Sequence, residues 1–191
     1  MRLTMLLCLS LTFCTSTARS RPDAFAVIQR LGGTTSDANG ALTIDLHKSA
    51  VTDADLAAIA ALDDVVDLDL RLTTITDAGL AHLGRLGRLH RLNLFRTNVT
   101  DRGLATVAQL KELDTLLLGG TKVTDDGLAR LRGLHHLKKI SLFDTAVTDA
   151  GLEHLQDLSE LKTLLVAKSK VTEAGMAKLK SVLPDLEFRE P

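Results

Sequence analysis

Residues 89–112 read LHRLNLFRTNVTDRGLATVAQLKE, and this stretch is one of six copies of a 24-residue repeat. Each copy contains a branched aliphatic residue followed by Thr and an acidic residue. These phrases begin, without insertion or deletion, at Val51, Ile75, Val99, Val123, Val147 and Val171. Such strict spacing predicts a stack of structural repeats. A stack presents a broad surface, which favours binding of a partner over catalysis.

Each repeat contains two periodicities, one typical of a strand and one typical of a helix. In the first half, aliphatic residues alternate, as at Leu92 and Leu94, which predicts a strand with one buried face. In the second half, leucines recur at every third position, as at Leu80, Leu83 and Leu86, which suits a short helix. One such unit cannot bury a core alone, so neighbouring units must share one.

The repeat resembles that of the leucine-rich repeat family, whose pattern is Leu-x-x-Leu-x-Leu-x-x-Asn/Cys-x-Leu. In one copy the matching residues are Leu89, Leu92, Leu94, Thr97 and Val99. The resemblance implies an α/β leucine-rich repeat solenoid over residues 41–182. This is a right-handed horseshoe with a parallel sheet on its concave face and short helices on its convex face.

The repeat departs from the family pattern in the Asn/Cys column, which holds only hydroxyl residues: Ser49, Thr73, Thr97, Thr121, Thr145 and Ser169. We expect these hydroxyls to satisfy buried backbone groups where the chain leaves the strand. The Thr-Asp-x-Gly-Leu segment looks most like the cysteine-containing subclass, and like the short secreted repeat proteins of planctomycete-type bacteria.

The N-terminal segment, residues 1–18, has the features of a signal peptide. Arg2 precedes an apolar run from Leu3 to Phe13, and small residues up to Ala18 provide a cleavage site. We therefore expect a secreted or periplasmic protein. The bulky Phe13 disfavours lipid anchoring at Cys14. The run is too short for a spanning helix, so we expect no integral membrane span.

The segments on either side of the repeats are predicted to cap the stack. Residues 19–40 contain a predicted helix, Asp23 to Leu31, and an Asn39-Gly40 turn signal. Residues 183–191 form the C-terminal cap, and Val182 to Phe188 has the pattern of a degenerate seventh strand. Caps are needed because the end repeats would otherwise expose apolar core.

Composition limits the partners and cofactors that we expect. The formal net charge of −1 predicts no nucleic-acid partner, and 45% hydrophobic residues fit one globular domain. Both cysteines, Cys8 and Cys14, lie in the predicted signal peptide, so no disulfide is expected in the mature chain. No phosphate-binding loop occurs, and no cofactor is predicted. The oligomeric state stays open.

The third, fifth and seventh positions of the repeat are predicted to share the concave face, because strand side chains alternate. The third column is Thr43, Asp67, Arg91, Thr115, Lys139 and Thr163. The fifth is Asp45, Asp69, Asn93, Leu117, Ser141 and Leu165. The seventh is His47, Arg71, Phe95, Gly119, Phe143 and Ala167. These columns vary between copies, so we expect the ligand-binding residues among them.

The main candidate site is a shallow slot between Phe95 and Phe143, which are two repeats apart and so about 10 Å from each other. Gly119 lies between them without a side chain, and Leu117 stands beside it. Such a slot can anchor an apolar side chain of a partner. In the alternative interpretation, the rings lean over neighbouring leucines and the Gly119-Gly120 pair eases a turn.

Charged residues make up the polar part of the predicted concave face: Asp45, Asp67, Asp69, Arg71, Arg91 and Arg96. They either steer a charged partner or pair with one another on a solvated surface. The predicted binding site comprises Phe95, Phe143, Gly119, Leu117, Arg71, Arg91 and Asp69.

An acidic column precedes the helices: Asp53, Asp77, Asp101, Asp125, Asp149 and Glu173. A cation ladder is one interpretation, but capping of free helix N–H groups by the carboxylates or the Thr hydroxyls is favoured. The histidines, including His82, His154 and the His135-His136 pair, lack ligands at metal spacing. We therefore predict no metal site and no catalytic residue.

The sequence thus favours an exported protein-interaction module that binds an unidentified protein or peptide on its concave face, and not an enzyme. A structural repeat protein without a specific ligand is the main alternative. A small hydrolytic enzyme using Asp67, Asp69 and His47 has weaker support, because no nucleophile pairs with a base. An intracellular substrate-recruitment adaptor shares the subclass pattern but conflicts with the signal peptide.

Overall fold

A computed structural model describes residues 21–189, so the predicted signal peptide and Cys14 lie outside the described residues. Within them, an eight-stranded sheet has its strands in chain order. The strands are β1 (Thr34–Ala38), β2 (Ala41–Asp45), β3 (Val65–Asp69), β4 (Arg91–Asn93), β5 (Thr115–Leu117), β6 (Lys139–Ser141), β7 (Thr163–Leu165) and β8 (Glu187–Phe188). β1 and β2 are antiparallel, and all later pairs are parallel. The predicted α/β solenoid with a parallel sheet is confirmed.

Short helices return the chain from each strand to the next one. The helices are α1 (Arg21–Arg30), α2 (Asp53–Ile59), α3 (Asp77–Leu80), α4 (Leu104–Val107), α5 (Asp125–Leu128), α6 (Asp149–Leu152) and α7 (Glu173–Val182). Three of the return segments add 3-10 turns at Leu83–Arg85, Ala129–Gly133 and Glu153–Leu155. Helix residues Leu80 and Leu83 belong to the same buried cluster as strand residues Leu92 and Leu94. The repeats therefore share one core, as their spacing predicts.

Each strand ends in a turn that the hydroxyl column stabilises. The residue after the seventh position has a left-handed backbone, with φ between 52° and 68°, at Lys48, Leu72, Arg96, Gly120, Asp144 and Lys168. Nearby hydroxyls donate to the carbonyl three residues earlier at 2.6–2.8 Å, from Thr73, Thr97, Thr121 and Thr145. These threonines are buried, so an unpaired hydroxyl would be costly there. The expected role of the hydroxyl column is confirmed.

The acidic column links each repeat to the next one. One carboxylate oxygen accepts the backbone N–H of the following repeat's Thr at 2.7–2.9 Å, and the other accepts its hydroxyl at 2.5–2.7 Å. The links join Asp53 to Thr76, Asp77 to Thr100, Asp101 to Thr124, Asp125 to Thr148 and Asp149 to Thr172. We call this set of links the Asp–Thr ladder.

The ladder corrects the interpretation of the carboxylates as caps of their own helices. The Thr hydroxyls do accept helix N–H groups, as when Ala78 donates to Thr76 at 3.2 Å. The carboxylates instead reach a residue 23 positions later, because stacking brings it alongside. One repeat considered by itself cannot reveal this contact.

The glycine of the Thr-Asp-x-Gly motif makes room for the ladder. A Cβ on Gly103 would lie 2.6 Å from Oδ1 of Asp77. Four other glycines face the preceding carboxylate in the same way: Gly79, Gly127, Gly151 and Gly175. The first repeat has no predecessor, and Asp55 occupies its glycine column. Asp55 accepts the N–H and hydroxyl of Thr52 at 3.0 and 2.7 Å, so it replaces the missing rung from within its own repeat.

At the N-terminal end, α1 and the β1–β2 hairpin cover the first repeat. α1 begins at Arg21, before the predicted Asp23, and buries Ala24 and Ile28 in the core. Arg21 donates two 2.7 Å hydrogen bonds to Asp64. The hairpin turns at Asn39-Gly40, where both residues have positive φ, as a tight two-residue turn requires.

At the C-terminal end, α7 and β8 cover the last repeat. The strand predicted from Val182 to Phe188 is shorter than expected, because Val182 ends α7 and only Glu187 and Phe188 pair with β7. Pro184 has no N–H to donate to a neighbouring strand, which explains why pairing starts after it. Leu186 still packs fully buried in the core.

Candidate functional site

The strand register divides the concave face into two halves. In the fifth column, Asp69, Asn93 and Leu117 are successive partners, and Ser141 and Leu165 continue the row. The column therefore changes from acidic on β3 to mostly apolar on β5 to β7. We call β2 to β4 the polar half of the face and β5 to β7, with Phe95, the apolar half.

The two phenylalanines contact each other instead of lining an open slot. Their ring centroids are 6.3 Å apart at an interplanar angle of 34°, closer than the predicted distance of about 10 Å. The rings converge because Gly119 places no side chain between them, and a Cβ there would lie 2.9 Å from Cδ2 of Phe95. The predicted slot over Gly119 is therefore wrong, since the aromatic pair covers this glycine.

A concavity of about 250 Å³ lies beside the aromatic pair. Its lining consists of Arg71, Asn93, Phe95, Leu117, Lys139, Ser141, Phe143 and Leu165. The fifth column forms the floor, the two rings border it towards the strand ends, and Lys139 borders it where β6 begins. Typical small-molecule sites enclose about 300–1,000 Å³. The concavity is smaller, so it suits one anchoring side chain of a partner.

The predicted binding residues fall into three groups. Four line the concavity: Phe95, Phe143, Leu117 and Arg71. Gly119 acts indirectly, by allowing the rings to meet. Arg91 and Asp69 lie outside the lining and are engaged in ion pairs of the polar half.

Sequence reasoning missed four lining residues: Asn93, Lys139, Ser141 and Leu165. Three of them share the fifth column with Leu117, so extending the predicted site along that column would have found them. Nothing in the sequence singles out Lys139, which enters the site through the packing of neighbouring strands.

A cation lies against each ring of the aromatic pair. The guanidinium carbon of Arg96 is 5.3 Å from the ring centroid of Phe95. Nζ of Lys168 is 5.2 Å from the ring centroid of Phe143. Both distances fall within the range of about 6 Å over which an aromatic face attracts a cation. The left-handed turn after each strand brings these side chains back over the rings, so positive charge rims the apolar half.

The polar half consists mainly of acids paired with neighbouring bases. Nε of Arg91 lies 3.2 Å from Oδ2 of Asp67, and Nε of Arg71 lies 3.4 Å from Oδ2 of Asp69. The side-chain amide of Asn93 also donates to Asp69 at 3.2 Å. This arrangement matches the mutual pairing considered as an alternative to partner steering.

The residues considered for a hydrolytic site have structural partners too. Nδ1 of His47 lies 2.7 Å from Oδ1 of Asp45. Burial raises the pKa of Asp45, but hydrogen bonds from the backbone and ring of His47 outweigh burial and leave the pKa below its usual value. Burial raises the pKa of Asp67, which Arg91 offsets only in part. These acids are therefore parts of surface ion pairs.

Residues 21–189 contain no group of three or more His, Cys, Asp or Glu side chains arranged to hold a metal ion. His154 contacts Arg132 at 2.5 Å, and His136 contacts Glu160 at 3.2 Å. Across the same described span, no helix is long and apolar enough to cross a membrane.

Comparison with known proteins finds similarity in both sequence and fold. Residues 133–155 match a family model described as Leucine Rich repeat. A solved internalin from Listeria monocytogenes superposes with a TM-score of 0.58 at 17% identity, over 86% of this chain and 54% of that chain. Internalin C2 from the same species superposes with a TM-score of 0.55 at 22% identity, over 86% of this chain and 80% of that chain.

The chain spans about half the length of the first of these internalins. No curated protein matches it in sequence. At these identities the structural likeness establishes the fold alone. The family match, the 24-residue period and the shared fold together identify the chain as a leucine-rich repeat protein.

Proposed function

We propose that the chain is an exported protein-interaction module that binds a protein or peptide on the apolar half of its concave face. The observation that carries the proposal is the contact between Phe95 and Phe143 beside a concavity whose floor includes Leu117 and Leu165. Repeat stacks commonly use their extended concave surfaces for binding. The size of the concavity favours an anchoring side chain over a free small molecule.

The aromatic pair is suited to binding because it is held in place before a partner arrives. Rings in contact restrict one another, so less side-chain entropy is lost on binding. Both rings are only half-buried, and the core beneath them is closed by fully buried residues such as Leu94 and Leu142. An entering apolar side chain would remove the remaining ring surface from water.

Affinity capture from periplasm or culture medium of the source organism tests the proposal. Immobilised wild type is compared with Phe95→Ala and Phe143→Ala. We expect both variants to melt close to wild type but to lose the captured partner, because truncating a central interface aromatic often costs about 2 kcal/mol or more. Val182→Ala is the matched control, since this apolar side chain is 49% exposed at the end of α7, away from the concavity.

Two outcomes would contradict the proposal. If both phenylalanine variants capture the same proteins as wild type, the apolar half is not the binding site. Failure of wild type to retain any protein beyond the bare matrix would instead favour the structural role without a ligand.

Export is the part of the proposal that rests on residues 1–18, outside the described residues. Cell fractionation of the full chain, beside a chain that lacks residues 2–18, tests it. Recovery of the shortened chain in the periplasm or medium would refute this part.

A further inference from the structure

We infer that the concavity selects an acidic, apolar peptide segment, in which an aliphatic or aromatic side chain lies two residues from a carboxylate. The inference rests on the proposed function and specifies the chemistry of its partner. It is carried by Lys139, whose ammonium group has no ion-pair partner among the described residues and borders the floor that holds Leu117 and Leu165.

The side-chain ammonium group of Lys139 forms no ion pair or hydrogen bond with any residue in the described span 21–189, although its backbone N–H donates to the carbonyl oxygen of Asp114 at 3.0 Å. Its partners in the third column are Thr115 and Thr163, and neither carries a charge. Arg91 in the same column differs, because Asp67 on the adjacent strand pairs with it at 3.2 Å. In the third column, Lys139 of the apolar half is therefore available to a ligand, whereas Arg91 of the polar half is already paired.

The charged residues that line the concavity favour an anion. Its lining contains two cations, Arg71 and Lys139, and no acid. Arg71 is compensated by Asp69, so the net charge of the lining comes from Lys139. Arg96 and Lys168, which lie over the two rings, add positive potential at the rim. A carboxylate would be attracted to this site, and a cationic ligand would be repelled.

The spacing of the site fits an extended peptide. Lys139 lies two residues before Ser141, a floor residue on the same strand. At a rise of about 3.3 Å per residue, the two columns are roughly 7 Å apart. An extended ligand also places alternate side chains about 7 Å apart on one face. When an apolar side chain of the ligand lies on the floor between Leu117 and Leu165, a carboxylate two residues away in the ligand therefore lies beside Lys139.

Selection from random linear peptides displayed on phage tests the inference. We expect wild type to enrich peptides with Asp or Glu two residues from Leu, Ile or Phe. Binding of a selected synthetic peptide should fall about tenfold or more in Lys139→Glu, because attraction becomes repulsion. Selection on Lys139→Glu should enrich Lys or Arg in place of the acid. Lys162→Glu is the matched control, with the same change of charge at an exposed residue outside the lining.

Three other outcomes would contradict the inference or the proposed function. Apolar peptides without an acid, bound equally by Lys139→Glu, would overturn the inference while the proposed function stands. Equal losses in Lys139→Glu and Lys162→Glu would also overturn it, because the attraction would then be non-specific. Enriched peptides that bind Phe95→Ala and Phe143→Ala as well as wild type would overturn the proposed function itself.

Discussion

The Asp–Thr ladder repeats one contact between neighbouring repeats, whereas the concave face changes from strand to strand. In the ladder, five carboxylates bind five threonines at nearly constant distances. On the concave face, the fifth column passes from Asp69 to Leu165 and the residue type changes at every step. The difference separates two tasks, because constant columns hold the stack together and variable columns provide a surface for a partner.

The two regions differ in what a substitution disturbs. A ladder carboxylate contacts two repeats at once, and the glycine beside it leaves no space for a larger group. A concave-face side chain borders solvent and can move without displacing the core. Substitutions in the ladder and core should therefore change stability, whereas substitutions on the concave face should mainly change binding.

The largest contrast is expected between Leu116 and Leu117, which are adjacent in the chain but face opposite sides of β5. Leu116 is fully buried, and Leu116→Ala should destabilise the protein by about 2–5 kcal/mol through a core cavity. Leu117→Ala should cost about 1 kcal/mol or less, because that side chain borders solvent in the concavity. Urea unfolding of both variants measures the difference. Equal losses would mean that the alternation of β5 is assigned incorrectly.

A smaller contrast is expected between two glycines. Gly103→Ala would place its Cβ 2.6 Å from the Asp77 carboxylate, and Gly119→Ala would place it 2.9 Å from the ring of Phe95. Gly103→Ala should cost about 1–3 kcal/mol, because the carboxylate is fixed by Thr100. Gly119→Ala should cost about 1 kcal/mol, because the half-buried ring can rotate towards solvent and only the carbonyl oxygen of Phe143, 3.2 Å from the new Cβ, stays in place.

A double-mutant cycle identifies the cause of the loss at Gly103. Adding Asp77→Ala to Gly103→Ala removes the clashing carboxylate, so the two losses in unfolding free energy should sum to more than the loss of the double variant. Strict additivity would show that the loss comes from crowding against Leu80 and Val99, which lie 3.0 and 3.1 Å from the new Cβ, and not from the ladder.

The smallest contrast concerns the pH dependence of stability. Burial raises the pKa of Asp55, but hydrogen bonds from Thr52 and the pairing with Arg30 outweigh it, so the pKa is lowered. Its contribution is present above the unfolded value of about 3.9 and is lost as the pH falls through the folded pKa. Burial raises the pKa of Asp67 more than Arg91 lowers it, so the folded state gains stability as the pH falls through that raised pKa.

Two substitutions separate these opposite effects in unfolding experiments at a series of acidic pH values. Asp55→Asn should make stability less sensitive to acid, because it removes a group that stabilises only when ionised. Asp67→Asn should make stability more sensitive to acid, because it removes a carboxylate whose protonation stabilises the folded state. The same change of slope in both variants would contradict the assignment of the two pKa directions.

Much of the fold was predictable because every copy of the repeat carries the same information. Alternation at Leu92 and Leu94 indicates which strand face is buried, and the constant period sets the register between strands. The hydroxyl column was also interpreted correctly, because its hydrogen bonds are made within one turn. Local patterns thus sufficed wherever the contact partners are close in the chain.

The candidate site was less predictable because its geometry depends on side chains from several strands. The Phe95–Phe143 contact requires both rings to move into the space above Gly119, and column positions alone suggested a wider separation. The Asp–Thr ladder was not predictable for the same reason, because each acid and its Thr belong to different repeats.

The sequence by itself determined the repeat, the direction of each strand side chain and the variable columns, because these follow from periodicities of two, three and 24 residues. Only the tertiary structure decided that the carboxylates connect repeats, that the rings meet and that Lys139 borders the concavity. These features depend on distances between side chains brought together by stacking, and such distances are set by packing and not by spacing along the chain.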